Sequence, residues 1–114
     1  MKFTSRLQGR TRTFKPEGRI DHATADEFSA ALADYLTDCK SGGTPLILDF
    51  SGIEYVSSIG LRALMLAARQ VKAQGGQIAI AALTPLVREV FEVSRFNLVF
   101  SIFDSENEAL QRMP

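Results

Sequence analysis

LILDFSGIEYVSSIGLRALML, residues 46–66, decides the fold. Its first five residues form a short, almost wholly apolar run. A run of that length reads as a strand buried on both faces. A few loop residues follow, then two serines, then apolar side chains at helical spacing. Leu61, Leu64, Met65, Ala68 and Val71 predict a helix over 57–74, which Gly75-Gly76 stops at its C′ position. A buried strand feeding directly into a helix is half of a parallel crossover unit.

Outward from this stretch the same alternation repeats. On the amino side, residues 2–7 and 11–20 read as two strands with Gly9 between them, and Pro16 marks an edge or a bulge in the second. Thr24-Ala-Asp-Glu27 fits a capping box. Phe28, Ala31, Leu32, Tyr35 and Leu36 then predict an amphipathic helix over 24–38, closed by Gly42-Gly43. On the carboxyl side, Ile78–Ala81 reads as a second buried strand. Thr84-Pro85 supplies an N-cap and a proline at N1 for a helix carrying Leu86, Val87, Val90 and Phe91. Leu98–Phe103 reads as the last strand. Asp104 or Ser105 then caps a final helix through Glu108, Leu110 and Met113. The expected order is ββαβαβαβα, an α/β domain over residues 1–114 with one central sheet whose later strands are parallel.

Composition narrows the function classes. The 114 residues carry 13 Lys+Arg against 13 Asp+Glu, with 46% hydrophobic and 23% charged residues. These are the proportions of an ordinary globular protein, not of a disordered or fibrous one. Nucleic-acid binding by bulk charge is not expected, because that affinity scales with the number of phosphates neutralised. The basic residues Lys2, Arg6, Arg10, Arg12, Lys15 and Arg19 are interrupted and fit a solvated strand face. No apolar run approaches the ~18 residues of a membrane span, and the first ten residues lack the apolar segment of a secretory leader. A single cysteine, Cys39, excludes an internal disulfide and any multi-cysteine metal site, and no cofactor or metal is expected. The expected location is cytoplasmic.

Enzymatic motifs are missing. The sole histidine, His22, has no partner at metal-ligand spacing, and the eight glycines form neither GxGxxG nor GxxxxGK. Val56-Ser-Ser-Ile-Gly60 has a serine between strand and helix, as a hydrolase nucleophile elbow does, but Val56 stands where the first glycine is needed. Ser57 and Ser58 remain as the informative pair. Both stand where the first helical N–H groups lack partners, so either hydroxyl can serve as an ordinary cap. A phosphate there is the alternative. It brings about −1.5 to −2 charges and three acceptor oxygens, and a helix N-terminus tolerates that charge. Such a change would alter a surface without altering the fold. Gly60 lies just beyond, where a missing side chain permits close approach by another chain.

Three pieces of sequence carry a family resemblance. Gly18-Arg-Ile-Asp21, followed by His-Ala-Thr, resembles a G-x-[IL]-D segment before the first helix. Leu46-Ile-Leu-Asp-Phe50 resembles a central strand, and Ser57-Ser58-Ile59-Gly60-Leu61 resembles a D-S-[ST]-G-L signature. Ala82-Leu-Thr-Pro-Leu-Val-Arg88 extends the likeness over nearly the whole chain. Together they resemble the STAS domain of the anti-sigma-factor-antagonist family. The resemblance implies a small sheet of mixed strands with helices mainly on one face. It also implies a non-enzymatic, phosphorylation-controlled partner-switching regulator. Its implied partners are a serine-kinase anti-sigma factor of the histidine-kinase-like ATPase fold and a PP2C-type phosphatase. The gapless match makes Ser58 the acceptor ahead of Ser57, and places Asp21, Ser57, Ser58, Ile59, Gly60, Leu61 and Arg62 on the partner surface. Two positions depart from the signature: Ser57 fills the Asp slot and Ile59 replaces the second hydroxyl residue. A non-phosphorylated STAS accessory subunit of a lipid ABC transporter is the alternative, and there the serines would only cap a helix.

Overall fold

A computed structural model describes residues 1–113 and resolves this pattern into eleven elements. They are β1 (Lys2–Gln8), β2 (Thr11–Ile20), α1 (Ala25–Asp38), β3 (Leu46–Asp49), β4 (Ile53–Val56), α2 (Ser58–Ala73), β5 (Ile78–Ala81), α3 (Pro85–Val93), a 3₁₀ turn (Phe96–Leu98), β6 (Ser101–Phe103) and α4 (Glu106–Arg112). The strands form one six-stranded mixed sheet in the order β1-β2-β3-β5-β6, with β4 attached to β2. Only β1 and β2 pair antiparallel; the remaining pairs are parallel. The α/β class expected from the sequence is the observed one.

Period-two alternation divides the apolar side chains between two layers. Leu46 and Leu48 of β3 join Phe14, Ile20, Ile53, Val56 and Ile80 beneath Phe28 and Leu32 of α1, Leu64 and Val71 of α2, and Val87 and Phe91 of α3. Ile47, between those two leucines, points the other way and packs with Ala81 against Ala109 of α4. Three helices thus cover one face and the short α4 covers part of the other. Each large side chain buried in this way stabilises the fold by about 1.5–3 kcal/mol. Phe14 also stacks on Phe3 at 5.6 Å between ring centroids, which fastens the β1 edge to the core.

β4 was not expected, and it changes the order to ββαββαβαβα. Its cause lies in β2, which serves two partners in succession. Arg12–Phe14 pair with Leu46–Leu48 of β3, whereas Gly18–Ile20 pair with Ile53–Val56 of β4, with an irregular register between Gly18 and Arg19. Gly18 has φ +119°, a conformation L side chains rarely adopt, and it sits at the start of the second pairing. Pro16 falls in the changeover between the two partners, so an interior strand accommodates it; β2 is not an edge.

The last strand is shorter than Leu98–Phe103. Arg95, at φ +60°, turns the chain into the 3₁₀ segment, and Phe96 and Phe100 insert into the core four residues apart, as helical rather than extended spacing requires. Leu98 and Val99 are left facing solvent, and β6 begins only at Ser101. Thr24 precedes α1 as expected but forms no capping box; its hydroxyl is engaged elsewhere.

Candidate functional site

The site is built where two parallel strands end together. Ile20, last in β2, pairs with Val56, last in β4. The ladder extends one step further, since the Ser57 amide donates to the Ile20 carbonyl at 2.9 Å. Asp21 and Ser57 therefore leave the sheet side by side, at the carboxyl ends of neighbouring strands. Residues 36 positions apart in sequence become neighbours through this one register.

The Asp21 side is tied down from within. The Asp21 carbonyl accepts from the amides of Thr24 (3.1 Å) and Ala25 (2.8 Å). Its Oδ1 accepts from the Ala23 amide at 3.0 Å, an Asx turn leading into α1. The Thr24 hydroxyl accepts from the Asp21 amide at 3.0 Å and donates to the Arg19 carbonyl at 2.6 Å. The Ala23 amide, more than any other group, holds the Asp21 carboxyl below its ordinary pKa; partial desolvation opposes this, while the Thr24 hydroxyl and His22 reinforce it. Asp21 also faces Arg19 at 3.8 Å, and the Arg19 guanidinium lies over the Tyr55 ring, 5.0 Å from its centroid. From the sequence, Arg19 was read only as one of the basic residues on a solvated strand face, and Tyr55 was not singled out. Their juxtaposition depends on the β2–β4 register, so only recognition of β4 would have exposed it.

The Ser57 side is different. Ser57 is the N-cap of α2, and its Oγ accepts from the Gly60 amide at a long 3.4 Å. Ser58 is the first helical residue and is exposed, whereas Ser57 is half-buried. Capping thus falls to Ser57 and leaves the Ser58 hydroxyl directed away from that duty. Ile59 and Arg62 are exposed as well, and Leu61 is partly buried against the core. Gly60 is turned inward. A Cβ there would lie 2.9 Å from Ile20 Cγ2, the Ile20 carbonyl oxygen and Val56 Cγ1. The space spared at Gly60 is therefore filled by this chain's own β2 and β4, not offered to another chain. That corrects the expectation drawn from the sequence.

Along the outer side of α2 runs a shallow groove of about 290 Å³ lined by Ser58, Leu61, Arg62, Met65, Leu66, Arg69 and Phe96. Leu66 is 52% exposed and Ile59 45%. The serine, two guanidinium groups and a run of apolar side chains thus share one open surface. A larger groove, about 730 Å³, extends from Met65 to Met113 and does not include either serine. Volume alone does not mark the site here, since both grooves lie open to solvent, unlike the largely enclosed cleft of a small-molecule pocket. Among the described residues, no three His, Cys, Asp or Glu gather as metal ligands, and no helix is long and apolar enough to cross a membrane. Cys39 is buried; burial raises its pKa, and its thiol donates to the Gln77 carbonyl at 3.1 Å.

Comparison with known proteins bears on the family and the fold. The family model described as STAS domain matches residues 2–109. BtrV of Bordetella bronchiseptica, provisionally named an anti-sigma factor antagonist, is 34% identical over 93 residues, covering 82% of this chain and 78% of BtrV. An anti-sigma factor antagonist from Mycobacterium paratuberculosis superposes with a TM-score of 0.85 at 19% identity, over 96% of this chain and 91% of that one. The Bacillus cell fate determinant SpoIIAA in its phosphorylated form superposes with a TM-score of 0.69 at 20% identity, over 97% and 98% of the two chains. At these identities the structural likenesses speak for the fold.

Proposed function

Since the chain belongs to the STAS domain family, we propose that it is an anti-sigma factor antagonist switched by phosphorylation of Ser58. The observation that carries this reading is the division of labour at the head of α2. Ser57 caps the helix, so the neighbouring Ser58 hydroxyl is exposed and dispensable to the fold. In the unmodified state the surface from Asp21 to Arg62 binds a serine-kinase anti-sigma factor. The exposed Ile59 and Leu66 supply apolar contact, and Arg62 supplies charge. The kinase then transfers the γ-phosphoryl group of ATP to Ser58 Oγ. The new O–P bond forms as ADP leaves, and the hydroxyl proton passes to the kinase's base. A dianion forced out of water into the interface costs about 2–5 kcal/mol of affinity, which releases the kinase. A PP2C-type phosphatase hydrolyses the ester and restores binding. In this role the protein binds and is modified, with no catalysis of its own, and it acts in the cytoplasm.

The test combines labelling and binding. Incubation with the cognate kinase and ATP should add one phosphate to the wild type and none to Ser58→Ala. A Ser58→Asp variant should lose kinase binding while keeping its melting temperature. Label that persists after Ser58→Ala moves the acceptor elsewhere, Ser57 being the next residue to mutate. Co-purification with an ATPase and a permease, with Ser58→Ala fully functional, would replace this reading with that of a transporter subunit.

A further inference from the structure

The exposed cation nearest to Ser58 along its own helix has no structural employment. Four ion pairs form among the described residues: Met1 with Glu27, Arg6 with Glu106, Arg19 with Asp21, and Arg88 with Asp104. Two guanidinium groups sit over aromatic rings, Arg12 on Tyr35 and the already paired Arg19 on Tyr55. Arg62 takes part in none of these. It stands four residues after Ser58 on α2, is exposed, and lines the same groove as Ser58.

Helix geometry gives that spacing a direction. Residues four apart lie on one face with Cβ atoms about 5–6 Å apart. Helical side chains lean toward the N-terminus, so the surface that Arg62 covers is the turn in front of it, the turn containing Ser58. A guanidinium offers paired donors that match phosphate oxygens. No acidic side chain stands in the first turn of α2 to compete for it. Arg69 lines the same groove but stands eleven residues from Ser58, about 16 Å along the axis at 1.5 Å per residue.

We propose that Arg62 is the internal counter-ion of a phosphate on Ser58, so that modification withdraws the guanidinium from the docking face as it adds negative charge. This rests on the reading of Ser58 as the acceptor. The switch then has two components. The unmodified protein presents a free cation to an acidic group on its partner. The modified protein presents a neutralised pair, and the partner's acidic group loses its contact. Repulsion need not act alone.

The experiment separates this inference from the one beneath it by placing the phosphate without a kinase. Phosphoserine is incorporated genetically at position 58, and the second phosphate ionisation is followed by ³¹P NMR against pH. In the otherwise wild-type chain, the pKa should lie roughly 0.2–0.4 of a unit below that of the Arg62→Gln chain, the size of a surface pair at this spacing. The difference should shrink in 1 M salt. Arg62→Lys should recover part of it, and Arg69→Gln should leave it unchanged. Equal values in the wild-type and Arg62→Gln chains overturn the counter-ion role, whatever the kinase does. Kinase labelling at a residue other than Ser58 overturns the acceptor assignment instead, and leaves the measured pairing standing.

Discussion

The starts of α1 and α2 look alike in sequence, each with a hydroxyl residue just before a run of helical apolar spacing, yet they are held by opposite means. Thr24, before α1, spends its hydroxyl on the turn behind it. It accepts from Asp21 and donates to Arg19, and Asp21 closes a further turn onto Ala23. The Ser57 hydroxyl, before α2, makes one long contact to Gly60. What holds α2 in place is packing: Gly60 lies against Ile20 and Val56 with no room for a methyl group. A loop fastened by its own side chains has none to spare. A junction fastened by backbone contact can leave a hydroxyl free, and Ser58 is that hydroxyl.

This contrast can be broken experimentally, and the largest effect belongs to the free side chain. Ser58→Asp should weaken binding of the anti-sigma partner at least 30-fold, about 2 kcal/mol or more, while its urea midpoint stays at the wild-type value. Gly60→Ala should come next. Helix propensity alone favours alanine by about 1 kcal/mol. A net loss of about 1–3 kcal/mol in urea unfolding is therefore the mark of a wedge that cannot yield, and a gain in stability would refute it. Thr24→Val should cost about 1–2 kcal/mol, because two hydrogen bonds are lost at once. Ser57→Ala should cost about 0.5 kcal/mol, at the low end for a cap, as its long contact suggests. If Ser57→Ala proves the more damaging of the two, the contrast between the two helix starts is reversed.

The smallest effect is one of pH. The folded state lowers the Asp21 pKa from its ordinary 3.8. Its stabilising contribution is therefore fully present above about pH 3.8 and disappears as pH falls through the lower folded value. Wild type and Asp21→Asn should differ most in stability near neutrality and converge in acid, as read from urea midpoints at stepped pH.

The sequence made the second half of the chain legible because its signals are local. The run Leu46–Phe50, the helical spacing from Leu61 to Val71 and the Thr84-Pro85 start each declare themselves within a few residues. β4 did not, since Ile53-Glu-Tyr-Val56 is only four residues long and becomes a strand by pairing with Gly18–Ile20, more than thirty residues earlier. The Arg19–Tyr55 contact vanished from view with it. Thr24 misled for a related reason: a capping box and an Asx turn draw on the same residue types, and which one forms depends on where the preceding strand ends. At the site, motif resemblance identified the serine pair. The division between a capping Ser57 and an exposed Ser58 came only from their positions on the helix.

The wedge at Gly60 carries one more consequence. If Ser58 takes the phosphate, its place on so tight a seam means that it should signal by charge and not by movement, so crystal structures of the modified and unmodified forms should overlay. The chain is formally neutral at pH 7, and one phosphate would take it to about −1.5 to −2. Isoelectric focusing or a native gel would then separate two populations that every shape-sensitive method merges.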